Sequence, residues 1–241
     1  MIKNQIRMKS LINIFITTVF VVVLTTSLSA EYPYNENPVV LASFPKVVEK
    51  SDPLPIPSVW DGIQPQKNFM SSVFAISPED DSAEWKANEL NMANELFNKL
   101  PLPFRICTKG IRRVKEGSSP QVAGYVEMNV APIVYITNSG ASYKVFSGYL
   151  AHEMTHCFQM SHPDILSAWE KQFWTSSFFI SEPKTAPVSD YGAESPKEDM
   201  AESVRLYCTH SSLLKSSFPD RYEFVKKYIM NESEFPDEKI D

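Results

Sequence analysis

Leu150-Ala-His-Glu-Met-Thr-His-Cys-Phe158 is the stretch from which the rest of the chain is read. Residues four apart share a helix face, about 6 Å apart along the axis. If this stretch is helical, His152 and His156 both aim an imidazole nitrogen at one point, and Glu153 stands one residue round the turn beside it. Two ligand nitrogens and a carboxylate at this spacing suit a divalent ion with a base that takes a proton from a water the ion activates. The flanking sequence agrees with a helix. Ser142 can cap its start, and Val145, Phe146, Tyr149, Leu150, Met154, Cys157 and Phe158 recur at helical spacing. Such a helix is largely buried, where unpaired imidazoles are costly. The bland alternative is a pair of core histidines bonded to neighbouring acids.

A catalytic ion of this kind needs a third protein ligand and one open position. Ser189-Asp-Tyr-Gly-Ala-Glu-Ser-Pro-Lys-Glu-Asp-Met-Ala-Glu-Ser203 offers candidates. Ser195 followed by Pro196 reads as an N-cap with proline at the first helical position. From there Glu198 and Glu202 share a helix face. One can bind the ion while the other accepts the ring N–H of a liganding histidine. Ser195-x-x-Glu198 is equally a capping box, in which Glu198 only closes the helix end, and Glu202 is equally a solvated residue. Asp190 and Glu194 are close enough in sequence to stand in as the third ligand.

Together these segments resemble the gluzincin zinc metallopeptidases, in which a His-Glu-x-x-His helix is completed by a glutamate from a later helix. The spacing is similar to the anthrax lethal factor catalytic domain and the Pro-Pro endopeptidases. Those place a tyrosine seven residues before the liganding glutamate, within a pattern that ends Glu-x-x-Ala-Glu. Tyr191 and Glu198-Asp-Met-Ala-Glu202 match that pattern, with Met200 where an aromatic is more usual. The resemblance implies one Zn2+ per chain held by His152, His156 and Glu198, with Glu153 as general base. It also implies Tyr191 as a donor to the oxyanion and Glu202 as the group orienting a liganding histidine. It covers roughly residues 124–228.

The N-terminus reads as a targeting segment. Lys3, Arg7 and Lys9 precede an apolar run from Leu11 to Leu24, and Thr25-Thr-Ser-Leu-Ser-Ala30 supplies small residues for cleavage after Ala30. The run is shorter than the ~20 residues of a spanning helix, and an uncleaved anchor is the other reading. We therefore expect a signal peptide over 1–30, a secreted or periplasmic product, and no membrane association after cleavage. Residues 31–66 are punctuated by Pro33, Pro38, Pro45, Pro53, Pro55, Pro57 and Pro65, which suits a surface-wrapping extension, a propeptide or a plain tether. A formal charge of −6 gives no basic footprint for nucleic acid. The three cysteines, Cys107, Cys157 and Cys208, allow at most one internal disulfide. A Cys157–Cys208 bridge would stiffen the metal site.

Residues 67–241 are expected to form the catalytic domain. Asp81-Ser-Ala-Glu84 resembles a capping box, followed by Ala87, Leu90, Ala93, Phe97 and Leu100 at helical steps until Pro101. Strands are expected over 104–109, 124–128 and 132–137, with Asn138-Ser-Gly140 turning after the last. By analogy with gluzincins, Ile133 to Thr137 is expected at the sheet edge beside the cleft, open to strand addition by substrate. Trp169, Phe173, Trp174, Phe178, Phe179 and Ile180 form an aromatic cluster read as core, and a tail helix is expected over Arg221 to Met230. His162 is expected to cap or follow the metal helix, and His210 to lie on the surface.

The resulting expectation is an α+β, zincin-like domain with a small mixed sheet, an active-site helix and a C-terminal helical half. Its activity would be a secreted, monomeric zinc endopeptidase acting on protein or peptide substrates. The alternatives are a secreted zinc- or peptide-binding domain without catalysis, and a structural domain whose histidines and glutamates form a buried polar network.

Overall fold

Prolines set where most of the helices begin. In the computed structural model α1 (Ala87–Lys99) stops at Leu100, whose N–H still reaches back to Leu96, and Pro101 follows. The helix α2 (Leu102–Cys107) starts at once with proline in its first turn. Further on, α3 (Phe146–Ser161) gives way at His162 to α4 (Pro163–Phe173), and α5 (Pro196–Thr209) follows the N-cap Ser195. After α6 (Ser211–Ser217), Pro219 opens α7 (Pro219–Phe224), which runs on as a π turn over Val225–Ile229. A proline ring has no N–H to donate and fixes φ for a first turn, so each start is local chemistry. The described residues are 74–76, 82–116, 122–127, 131–141, 146–176 and 181–237. All lie in the second of the two units into which the chain divides, Glu31–Asp241.

A four-stranded sheet runs in the order β1 (Phe74–Ile76), β2 (Gly110–Arg113), β4 (Ile133–Ile136), β3 (Gly124–Glu127). Its first three strands are parallel, and β3 runs antiparallel to β4. A separate antiparallel pair joins β5 (Trp174–Ser176) to β6 (Ser181–Pro183). Ile111, Val134 and Ile136 on the sheet belong to one core with Phe146, Leu150, Met154 and Phe158 of α3. That helix is buried from Gly148 to Gln159 and packs most extensively on α5, with β3, β4, α1 and α2 on its other sides. A helix buried all round explains why its apolar residues do not keep to one stripe. Among the described residues no helix is long and apolar enough to cross a membrane.

The mixed composition and small mixed sheet agree with the α+β expectation, and three local readings are corrected. Residues 104–109 are not a strand: Leu102–Cys107 is helical, with Arg105 N–H on the Pro101 carbonyl at 3.1 Å, and the strand is Gly110–Arg113. β4 is not the sheet edge; β3 covers it and forms the edge next to α3. The first helix starts at Ala87 rather than at an Asp81 box, with Glu89 accepting the Lys86 N–H at 3.1 Å. Asp81, Ser142, Phe178 to Ile180 and the segments 1–30 and 31–66 lie outside the described residues.

No disulfide forms among the described residues: Cys107, Cys157 and Cys208 are all buried and unbridged. Cys157 is bordered by Thr108 and Cys107, at the connection between α2 and β2. Burial pushes its thiol up to about 12, so it is inert. His162 lies against Phe158 with ring centroids 4.5 Å apart, and His210 is half-buried beside Thr209.

Candidate metal centre

Three side-chain atoms from two helices meet at one point. His152 and His156, a helical turn apart on α3, bring their Nε2 atoms within 3.2 Å of each other. Glu198, in the first turn of α5, places Oε2 at 3.2 Å from His152 Nε2 and 3.4 Å from His156 Nε2. The triangle is buried at all three corners. The capping question at Glu198 resolves in both directions: its N–H donates to the Ser195 hydroxyl at 3.2 Å, while its carboxylate turns to the imidazoles.

The far side of each imidazole fixes what the near side can do. His152 Nδ1 lies 2.9 Å from Glu202 Oε1, and His156 Nδ1 lies 3.0 Å from Gln159 Oε1. Both partners are acceptors, so each Nδ1 carries the proton and donates. Each Nε2 is then a lone pair that faces the Glu198 carboxylate. Three acceptors therefore converge with no donor among them, an arrangement that needs a cation or an added proton. A tetrahedral ion with bonds of about 2.0–2.1 Å sets its ligand atoms about 3.3–3.4 Å apart, and the triangle has that size. The donor set, two imidazoles and one carboxylate, suits a first-row divalent cation. The residues fit the ion.

In the ion-free state a proton stands in for the charge. Burial opposes it, but Glu198 and Glu202 beside the ring raise His152 to about 10. Burial likewise opposes ionisation of Glu198, and the two imidazoles outweigh it and hold that carboxyl far below the usual range.

Glu153 stands beside the triangle with both carboxylate oxygens buried and without a hydrogen-bond partner among the described residues. Burial pushes it up to about 7, against the pull of His152 and His156. A carboxylate tuned there takes and returns protons at neutral pH. Tyr191 tilts its ring over His152, with centroids 5.8 Å apart, and packs with Tyr149 and Ala123. Burial first, then the carboxylates of Glu198, Glu153, Glu194 and Glu202, keep its hydroxyl protonated well above the usual phenol range. Glu202 also accepts from Ser189 Oγ at 2.8 Å and from Arg205 Nη1 at 3.3 Å, so it is held as it orients His152.

The structure thus brings together His152, Glu153, His156, Tyr191, Glu198 and Glu202. Asp190 and Glu194 are exposed and outside the triangle. Sequence reasoning missed Gln159, Ser189 and Arg205. Gln159 was legible, three residues after His156 on the same helix face. Arg205, three residues after Glu202, was legible in the same way, and Ser189 carried no local signal. No protein-family model matches the chain, and no curated protein matches it in sequence.

Proposed function

We propose that this chain is a secreted, zinc-dependent endopeptidase with a zincin-like catalytic domain of the gluzincin type. The observation that carries the reading is the 3.2–3.4 Å triangle of His152, His156 and Glu198 with an unpartnered, buried Glu153 beside it. The mixed sheet with an antiparallel edge strand next to the metal helix supports the zincin-like reading. Two histidines and a glutamate are a donor set of catalytic zinc. Zinc would supply Lewis acidity, polarising a peptide carbonyl and lowering the pKa of a water from about 15.7 toward about 7.

The residues then divide the work. His152, His156 and Glu198 hold the ion. Glu153 takes the proton of the attacking water and hands it to the leaving amine. The Tyr191 hydroxyl donates to the charge developing on the carbonyl oxygen. Glu202 keeps His152 in its Nδ1–H form and is itself braced by Ser189 and Arg205. The substrate is a protein or peptide, and the chain acts as a monomer outside the cytoplasm.

The test is direct. Purified protein loaded with zinc and dialysed should retain one equivalent by elemental analysis and should cleave casein or a peptide library in a chelator-sensitive way. No retained metal would overturn the centre. Retained metal without cleavage would make this a zinc-binding domain instead.

A further inference from the structure

The side chain of Gln159 bridges the two halves of the triangle. Its Oε1 lies 3.0 Å from His156 Nδ1, and its Nε2 donates to the Lys197 carbonyl at 2.8 Å. Lys197 is the residue immediately before Glu198, in the first turn of α5. One buried amide therefore touches one metal ligand directly and the backbone beside another.

We infer that Gln159 is a positioning residue that fixes the tautomer of His156 and sets the spacing between the two helices supplying the ligands; this rests on the metal centre proposed above. An amide meets both demands at once, because it offers one acceptor and one donor from a single planar group. The acceptor selects Nδ1–H on His156 and leaves Nε2 for the ion. The donor ties α5 to α3 one residue away from the ligand that α5 contributes. Glu198 meets His156 on its Nε2 side, and Gln159 ties its Nδ1 side to α5. His152, by contrast, is oriented by the carboxylate of Glu202, which already sits on α5. Both imidazoles are thus tied back to α5, one by a charged group and one by a neutral one.

Two variants separate the two bonds. Gln159→Leu removes both, and Gln159→Glu keeps an oxygen for His156 Nδ1–H while giving up the amide N–H. Zinc dissociation constants, measured by competition with a chromogenic chelator, should weaken about 10–100-fold in Gln159→Leu. In Gln159→Glu, which keeps the acceptor but sets an oxygen against the Lys197 carbonyl, the weakening should be intermediate, about 3–10-fold and smaller than in Gln159→Leu. Wild-type protein that binds no zinc would overturn the metal centre itself. Wild-type affinity in Gln159→Leu, or equal weakening in both variants, would overturn the inference while leaving the centre intact. If Gln159→Leu fails to fold, nitrogen-15 NMR of the zinc-loaded wild-type protein decides. His156 should show a protonated Nδ1 and a metal-bound Nε2, and the reverse assignment would overturn the inference.

Discussion

Gly124 of β3 lies so close to Glu153 of α3 that a β-carbon added to it would meet Glu153 Cγ at 2.9 Å and Oε1 at 3.1 Å. The same carbon would sit 3.1 Å from the Tyr135 carbonyl across the strand pair, so it has no free direction to move. The missing side chain lets the edge strand close over the base. Gly124→Ala should therefore displace Glu153 or push β3 away, and a misplacement approaching 1 Å costs up to about 100-fold in rate. We expect kcat to fall about 10–100-fold with zinc content unchanged. Wild-type kcat in a folded, zinc-loaded Gly124→Ala protein would remove this contact from the catalytic arrangement.

Glu153 and His152 are neighbours in sequence with separable roles. Glu153→Gln keeps the shape of the side chain and leaves the triangle whole, so zinc should stay bound while turnover drops by about 10²–10⁴-fold. His152→Ala takes away a corner of the triangle, and zinc itself should be lost. Parallel elemental analysis and peptide cleavage read both outcomes. A Glu153→Gln enzyme of wild-type rate would exclude Glu153 as base.

Tyr191→Phe keeps the ring against His152, Tyr149 and Ala123 but deletes the hydroxyl. Loss of one oxyanion donor costs about 10²–10³-fold in kcat. The expected split is a reduced kcat at little-changed KM and full zinc occupancy, from steady-state kinetics on one peptide. An unchanged kcat would deny the hydroxyl that part.

How much of this was written in the sequence depends on the range of the interaction that fixes each element. His152, Glu153 and His156 are local, five residues end to end, and their helix was legible with them. Glu198, Glu202 and Tyr191 were reachable through a resemblance, with spacing and capping chemistry alone leaving Glu198 open between two roles. Residues 104–109 failed because a short apolar run reads equally as strand or helix. What settles it is Pro101 and Pro103 at the start of α2. The strand Gly110–Arg113 was missed because Arg112 and Arg113 look like surface. Arg113 is buried through Glu89, 24 residues earlier, and Asn138, 25 later, partners that no local pattern announces. Gln159 was hidden differently: its spacing to His156 was plain, but its use depends on Lys197.

Proton accounting gives a further measurement. The His152 proton is held to about 10 in the ion-free protein, so at neutral pH an arriving zinc ion must displace it. The sign follows: binding releases a proton, and apparent affinity weakens as pH falls. Calorimetric titrations in buffers of different ionisation enthalpy near pH 7 should show at least about one proton released per zinc bound, with Glu153 adding a fraction. Equal heats in every buffer would contradict the assignment of that proton.

Asp199 follows Glu198 but turns away from the triangle with His152 and His156, into a buried network. It accepts from Trp174 Nε1 at 2.9 Å and from Arg221 Nε and Nη2 at 3.0 and 2.9 Å. Arg221 also donates to Thr185 Oγ1 at 2.8 Å and lies over the Phe173 ring at 4.7 Å. One guanidinium thus joins α7, α5, the end of α4 and the segment after β6. Burial raises the Asp199 carboxyl above its ordinary value, against the pull of Arg221 and its hydrogen bonds. Arg221→Met leaves a buried carboxylate without its guanidinium, a loss of about 3–5 kcal/mol. For a domain of this size that is a fall in Tm of about 6–20 °C. The double change Arg221→Met with Asp199→Leu removes both charges and should recover much of the loss. A single variant melting with the wild-type protein would show that this network does not hold the first turn of α5, and with it Glu198, in place.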